Sequence, residues 1–325
     1  MRILVTGGRG LLGSAVVTEL LHRGHNVLSF QRSPSGTDAH DVLGDITDPS
    51  AVAAAMRGAD AVVHLAALVS MSGPLSDFER VNVGGTQNVI AAAQAAGVGR
   101  FVHVSSPSVA HVGRALVGDP GGRAEPDHAR GHYARTKAVA ELLALAADSE
   151  GMAVTSIRPH LVWGPGDTQL IARIAQRARA GRLFLIDHGA ALIDSTYVDN
   201  AAEAIAQALD RATLPEVRGR AFVVTNGQPR TVAEMLGRIA AAAGCPAPRR
   251  SVPASLAKGA GSAVERAWSI SGRAGEPPIT RFIAEQLSTA HWFDQRLTCE
   301  ALDWHPRIPL DEGFRRLREW FESLG

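Results

Sequence analysis

Short apolar runs alternate with longer amphipathic stretches through the first half of the chain, the pattern of a parallel sheet covered by helices on both faces. Runs at 3–6, 26–30, 61–65, 101–105 and 154–158 predict strands, and the periodicity between them predicts helices beginning near Gly10, Ser50, Val83 and Tyr133. Right-handed crossovers turn such a series into a doubly wound parallel α/β sheet. Beyond Trp163 the alternation loosens. Residues 168–180 read as a helix, 195–199 as a strand feeding a helix over 199–211, and 221–225 as one more strand. From Gly227 onward the pattern is mostly helical, interrupted by Pro246, Pro248, Pro253 and the adjacent Pro277 and Pro278. The expected organisation is one α/β domain over 1–165, to which 192–226 returns, and a smaller, mostly helical lobe built from 166–191 and 227–325.

The first strand runs directly into Thr6-Gly7-Gly8-Arg9-Gly10-Leu11-Leu12-Gly13, which opens the first helix. Gly7 suits a tight turn, Gly10 a backbone pressed against a pyrophosphate, and Gly13 close packing of helix on strand. The helix N-terminus adds unpaired N–H donors and partial positive charge. In this strand–turn–helix setting the glycines predict a Rossmann dinucleotide site with Thr6, Gly7, Gly10, Leu11, Leu12 and Gly13 on the cofactor. An acid at the end of the second strand would hold the adenosine ribose and repel a 2′-phosphate. Gln31 and Arg32 stand there instead, so NADP(H) is expected in preference to NAD(H), with Arg9 as a second cation. The bland alternative for Arg32 is a solvated loop residue. Asp45 and Ile46 are expected at the adenine, and Ala66, at a strand end of small residues, against the cofactor.

Tyr133 and Lys137 stand four residues apart on one helix face, in a chain with only two tyrosines and two lysines. A free phenol has a pKa of about 10. An ammonium one turn away is expected to lower it, so that Tyr133 protonates a carbonyl oxygen in reduction or deprotonates an alcohol in oxidation. Lys137 is also expected to hold the nicotinamide ribose. Ser105, Ser106 and Ser108 follow a strand whose carboxyl end faces the ligand crevice, and Ser106 is preferred over Ser105 as the hydroxyl sharing the substrate oxygen. Ser108 reads as a turn cap.

Charge and cysteine content narrow the classes. Lys plus Arg is 33 against 32 for Asp plus Glu, so no net field invites nucleic acid or anionic lipid. Cys245 and Cys299 are too few for a disulfide framework and are expected to be buried small hydrophobes in a reducing compartment. The 12 histidines are scattered without ligand spacing, so no metal is expected. The N-terminus lacks the charged region, apolar core and cleavage site of a signal peptide, and no run of about 18 apolar residues occurs. A cytoplasmic protein without a transmembrane segment is expected.

These motifs resemble, in order and spacing, those of the extended short-chain dehydrogenases/reductases: the glycine turn, the serine strand end, Tyr133-x-x-x-Lys137, and Asn82-Val83-Gly84-Gly85-Thr86. Arg158-Pro159-His160-Leu161-Val162-Trp163-Gly164-Pro165-Gly166-Asp167 and Tyr197-Val198-Asp199-Asn200 are similar to stretches of the 3β-hydroxysteroid dehydrogenase group, which implies that Pro159 and His160 lie beside the nicotinamide. Gly275-Glu276-Pro277-Pro278-Ile279-Thr280-Arg281-Phe282, Glu285-Gln286-Leu287 and His291-Trp292-Phe293 resemble bacterial 2-alkyl-3-oxoalkanoate reductases of olefin and β-lactone pathways. Many sugar-nucleotide and steroid relatives carry an acid where Gln31 stands, so cofactor choice does not carry over from them.

The resemblance implies reduction of a 2-alkyl-3-oxoalkanoic acid to its 3-hydroxy acid, with 3β-hydroxysteroid oxidation as the runner-up. A sugar-nucleotide epimerase or dehydratase, or a silent dinucleotide sensor, ranks behind both. An apolar pocket is expected from Trp163, Trp268, Ile270, Phe282, Ile283, Leu287, Trp292 and Phe293, although each also reads as lobe core. The stretch 255–270 has an amphipathic pattern with Lys258, Glu265 and Arg266 on its polar side. It reads as a packed surface helix, or as a lid touching membrane or a pathway enzyme. Helices near 83–96 and 133–147 resemble those that pair across dimers in the family, so a homodimer is expected.

Overall fold

In the computed structural model, residues 1–70, 73–110, 115–271 and 280–324 are described, without the side chains of 269–271. Seven strands form the main sheet: β1 (Arg2–Thr6), β2 (Asn26–Gln31), β3 (His40–Leu43), β4 (Ala61–His64), β5 (Arg100–Val104), β6 (Ala153–Pro159) and β7 (Ala221–Val224). Their order is β7-β6-β5-β4-β1-β2-β3, and every pair is parallel. Chain order reverses between β1 and β4, which opens a crevice at the carboxyl edge there.

Side chains alternate across the sheet with the period of two that a strand imposes. Ile3 and Val5 join one core with Val16, Leu20, Ile205 and Leu209, from helices α1 (Leu11–His22) and, far along the chain, Val198–Arg211. Leu4 points the other way, into a core with Val52, Met56, Val89 and Ala144. Those residues come from α2 (Pro49–Met56), α3 (Gly85–Ala95) and α4 (Gly131–Ala146). Both faces are covered, so the central strands read as unbroken apolar runs.

Two elements escape the sequence pattern. Strand β3 carries His40-Asp41-Val42-Leu43 and lies at the sheet edge, so it shows no apolar run and exists because β2 pairs with it. The helix expected near Val83 begins earlier, as a short α-helical turn (Leu75–Phe78) and a π-helical stretch (Glu79–Gly84) leading into α3. Gly85 packs closely there, since a Cβ would stand 2.5 Å from Ile46 Cδ1 and that side chain would have to shift.

The rest of the chain is mostly helical but is not helix alone. Leu116–Asp119, Leu192–Ile193, Arg230–Thr231 and His291–Phe293 make a four-stranded sheet, whose two-residue members are too short to show any period. The strand expected over 195–199 shrinks to Thr196–Tyr197. Around Trp163 a third core forms with Ile171, Leu236, Phe314 and Leu317. Trp163 stacks on Phe314 at 4.6 Å and meets Tyr197 edge-on at 5.5 Å. Cys245 and Cys299 are free but only half-buried, short of the full burial expected of them. Among the described residues no helix is long and apolar enough to cross a membrane.

Candidate active site

A continuous cavity of 2230 Å³ runs from the glycine turn across the carboxyl edge of the sheet into the second lobe. Small-molecule pockets hold roughly 300–1,000 Å³, so this one has room for a dinucleotide and a second ligand together. Ser106 and every residue expected on the cofactor line it, with one exception. Thr6 is buried beneath the turn, its Oγ1 2.7 Å from His64 Nδ1 and accepting from Ala66 N at 3.1 Å. It ties the turn to β4 rather than facing the cavity.

The turn is shaped by missing side chains. Gly7 has φ +80°, and a Cβ on it would stand 2.9 Å from Ala66 N. A Cβ on Gly13 would stand 2.1 Å from the Gly7 carbonyl oxygen, an impossible approach. Gly10 caps α1 with no side chain of its own, leaving the helix N-terminus open to the cavity. Bare backbone N–H groups at the positive end of a 12-residue helix form a cradle that fits a diphosphate.

At the adenosine end, Gln31 is engaged within the fold: its Nε2 donates to Asp41 at 2.8 Å and its Oε1 accepts from Ser29 at 2.7 Å. Arg32 and Arg9 are exposed on the cavity wall, and Arg9 also donates to Ser33. Asp45 accepts the Thr47 backbone N–H and hydroxyl, both at 2.9 Å. These bonds, with Arg32 and Arg80 nearby, hold its carboxyl below the usual range. Arg80 is a third cation on this wall that the sequence did not flag, because it sits in the unforeseen π-helical stretch.

At the reacting end, the Ser106 hydroxyl lies beside the Tyr133 phenol and favours its ionised form. Ser108 steadies Ser106, donating to its Oγ from its own hydroxyl at 3.0 Å and its N–H at 3.3 Å. Ser105 is buried, and its hydroxyl has no partner among the described residues. The four-residue spacing does put Tyr133 and Lys137 on the same helix face, but their electrostatics differ from the expectation. Burial pushes the phenol up to about 12, opposed by the Ser106 hydroxyl, and the Lys137 ammonium is not among the groups lowering it. That ammonium donates to the last carbonyl of β5, Val104 O, at 2.7 Å and lies 3.3 Å from His103 Nε2. Burial lowers Lys137 to about 8, opposed by Glu141. At neutral pH the phenol is therefore uncharged and the lysine cationic.

Helix α4 is held in register from both sides. Asn82, from the glycine-rich signature, donates to Thr136 at 3.1 Å and accepts from Leu68 N at 2.7 Å. On the other side, buried Glu141 pairs with buried Arg158 of β6 through Nε at 2.8 Å and Nη2 at 2.5 Å.

The far wall mixes apolar side chains with charged ones, among them Arg173, Arg177, Arg182, Arg281 and Glu285. Trp163, Phe282, Ile283, Leu287 and Phe293 line the cavity as expected, while Trp292 faces a separate cleft and Trp268 lines neither. The side chain of Ile270 and the stretch from Gly275 to Ile279 lie outside the described residues. The amphipathic helix spans Ala254–Ser271. Its Glu265, expected on the polar side, instead lines the cavity and accepts from Arg281 N at 3.1 Å. His160 lies edge-on to His291 at 5.0 Å and to Phe293 at 5.1 Å, across the gap between the sheet edge and the second lobe. In the sequence His291 stands out only within the stretch His291-Trp292-Phe293 that carries the resemblance, and a histidine in a three-residue strand has no spacing that assigns it a place beside His160.

The sequence matches the NAD dependent epimerase/dehydratase family over residues 3–224. It is 41% identical over 325 residues to a 2-alkyl-3-oxoalkanoate reductase of Stenotrophomonas maltophilia, covering 98% of each chain. A 3 beta-hydroxysteroid dehydrogenase/Delta 5-->4-isomerase of Mycobacterium tuberculosis is 37% identical, with 99% of this chain and 91% of that one covered. Among solved structures, the Thermus thermophilus UDP-glucose 4-epimerase complex with NAD superposes with a TM-score of 0.70 at 26% identity, covering 100% of both chains.

Proposed function

Because the chain belongs to the NAD dependent epimerase/dehydratase family and is an NAD(P)-dependent oxidoreductase of the extended short-chain type, we propose that it reduces the ketone of a 2-alkyl-3-oxoalkanoic acid to a secondary alcohol. One observation carries this reading: Ser106, Tyr133 and Lys137 line the same cavity as the glycine turn, where it opens toward Phe282, Ile283, Leu287 and Phe293. The turn would hold the diphosphate, Asp45 and Ile46 the adenine, Lys137 the nicotinamide ribose, and Pro159 and His160 the nicotinamide. The bound dinucleotide supplies the hydride. Ser106 and Tyr133 both present hydroxyls to the substrate oxygen. As that oxygen gains negative charge, Tyr133 gives it a proton, completing the alcohol. Ketone reduction requires the phenol in its neutral form, which a pKa near 12 secures across the physiological range. The alkyl chains go to the lobe of 166–191 and 227–325, against Phe282, Ile283 and Leu287.

The decisive experiment follows NADPH oxidation with a synthetic 2-alkyl-3-oxoacid, beside NAD reduction with a 3β-hydroxysteroid. Acid-dependent oxidation of NADPH is expected. Sterol turnover without turnover of the acid would hand the site to the second reading, which the mycobacterial relative favours.

NADPH is the proposed cofactor, since Arg9, Arg32 and Arg80 line the adenosine end and Gln31, not an acid, ends β2. A charge-assisted hydrogen bond contributes about 1.5–3 kcal/mol, and exposure reduces that, so Arg32→Ala should raise the KM for NADPH about tenfold. The KM for NADH should hardly move. An unchanged ratio of the two KM values in this variant, or a wild-type preference for NADH, removes the assignment.

A further inference from the structure

Behind the reacting end lies a buried polar chain that the scheme above leaves unused. His103, on β5, is wholly buried with its Nε2 3.3 Å from the Lys137 ammonium, and its Nδ1 has no partner among the described residues. An ammonium only donates, so the ring nitrogen facing it must be unprotonated and the single imidazole proton belongs on Nδ1. Burial and the neighbouring ammonium both hold His103 neutral.

The ring is also braced. His64 of β4 lies 5.6 Å from it, centroid to centroid. Thr86 Oγ1 spends its hydrogen on Asn82 O at 2.6 Å, so His64 Nε2 donates to Thr86 at 3.0 Å and His64 Nδ1 accepts from Thr6 at 2.7 Å. With both nitrogens committed, His64 neither donates to His103 nor accepts from it. The other ionisable groups around Lys137 are Tyr133, beside Ser106, and Glu141, committed to Arg158 of β6. Among the described residues the hydrogen-bond partners of the ammonium are thus a neutral carbonyl and a neutral imidazole, and its third hydrogen is left for the cavity side.

Packing alone does not account for an imidazole here. An apolar side chain would fill the same space without burying an unpartnered nitrogen. We infer that His103 is a positioning residue for Lys137, a neutral acceptor that keeps the ammonium protonated and aims its remaining hydrogen at the cofactor ribose and the phenol. This rests on the reading that Lys137 belongs to the reacting centre.

The first test needs no turnover. Nitrogen-15 NMR of labelled histidine in the wild-type protein, with His103→Gln to assign the signal, should show the Nδ1–H tautomer of His103 from about pH 6 to about pH 7, where Lys137 is still cationic. An Nε2–H tautomer overturns the inference, because that nitrogen could not accept from an ammonium. The second test is kinetic, with whichever ketone the enzyme turns over. Losing the acceptor destabilises the ammonium, so in His103→Leu the alkaline fall of kcat should move about one unit toward lower pH. The kcat at neutral pH should drop about tenfold, more than the KM for NADPH rises, and His103→Gln, which keeps an acceptor, should recover most of it. A folded His103→Leu enzyme with the wild-type kcat and alkaline limb overturns the inference. Wild-type turnover in Lys137→Met would instead overturn the reading of the reacting centre, and the role of His103 with it, whichever tautomer the NMR reports.

Discussion

Tyr133→Phe should lower kcat for ketone reduction by about 10²- to 10⁴-fold, the usual contribution of a positioned general acid. The substitution removes one oxygen and leaves the ring, so the cavity wall and the helix face stay as they are. The affinity for NADPH should therefore stay within about twofold. Steady-state kinetics and fluorescence titration with NADPH separate the two quantities. A variant with kcat within a few-fold of the wild type would remove Tyr133 from the mechanism. The pH dependence of the wild type carries the same logic. Lys137, lowered to about 8, is cationic below that value and loses its charge above it, while the phenol remains protonated up to about 12. Reduction should hold level through neutrality and decline as pH rises past about 8, well before the phenol titrates.

The second large effect is on stability. Glu141 and Arg158 are buried to 0% and 2% exposure, and they meet through two hydrogen bonds. Arg158 Nη1 also donates to Gly121 O at 2.9 Å and Gly122 O at 2.7 Å, and Ser156 Oγ donates to Glu141 at 3.1 Å. Glu141→Ala strands a guanidinium in the interior, and removing one partner of such a pair costs about 3–5 kcal/mol. Replacing both residues together by apolar ones, as in Glu141→Leu with Arg158→Met, should cost far less, because no charge is left unpaired. Urea unfolding of the single and double variants measures the difference. A single-variant loss below about 1 kcal/mol would mean that the buried guanidinium finds another counter-charge.

Much of this molecule is legible from short stretches of chain. The apolar runs at β1 and β4 announce buried parallel strands, since every side chain there meets a hydrophobic layer. The glycines at 7, 10 and 13 announce a turn without side chains, and the spacing of Tyr133 and Lys137 announces one helix face. Each of these follows from backbone geometry over a few residues. Strand β3 does not, because an edge strand with one half-covered face needs no apolar run and is held by its neighbour. Nor does the π-helical stretch that brings Arg80 to the cavity.

The chain by itself determined the sheet, the glycine turn and the pairing of a phenol with a lysine one helical turn apart. Tertiary structure alone decided that the ammonium turns to Val104 O and His103, and that Thr6 serves His64 rather than the cavity. The physical reason is range. Helix faces and strand periods are set by neighbours in sequence, whereas a proton's affinity is set by burial and by dipoles brought in through space. The groups around Lys137 arrive on β4, β5 and β6, and no spacing within α4 records where those strands will stand.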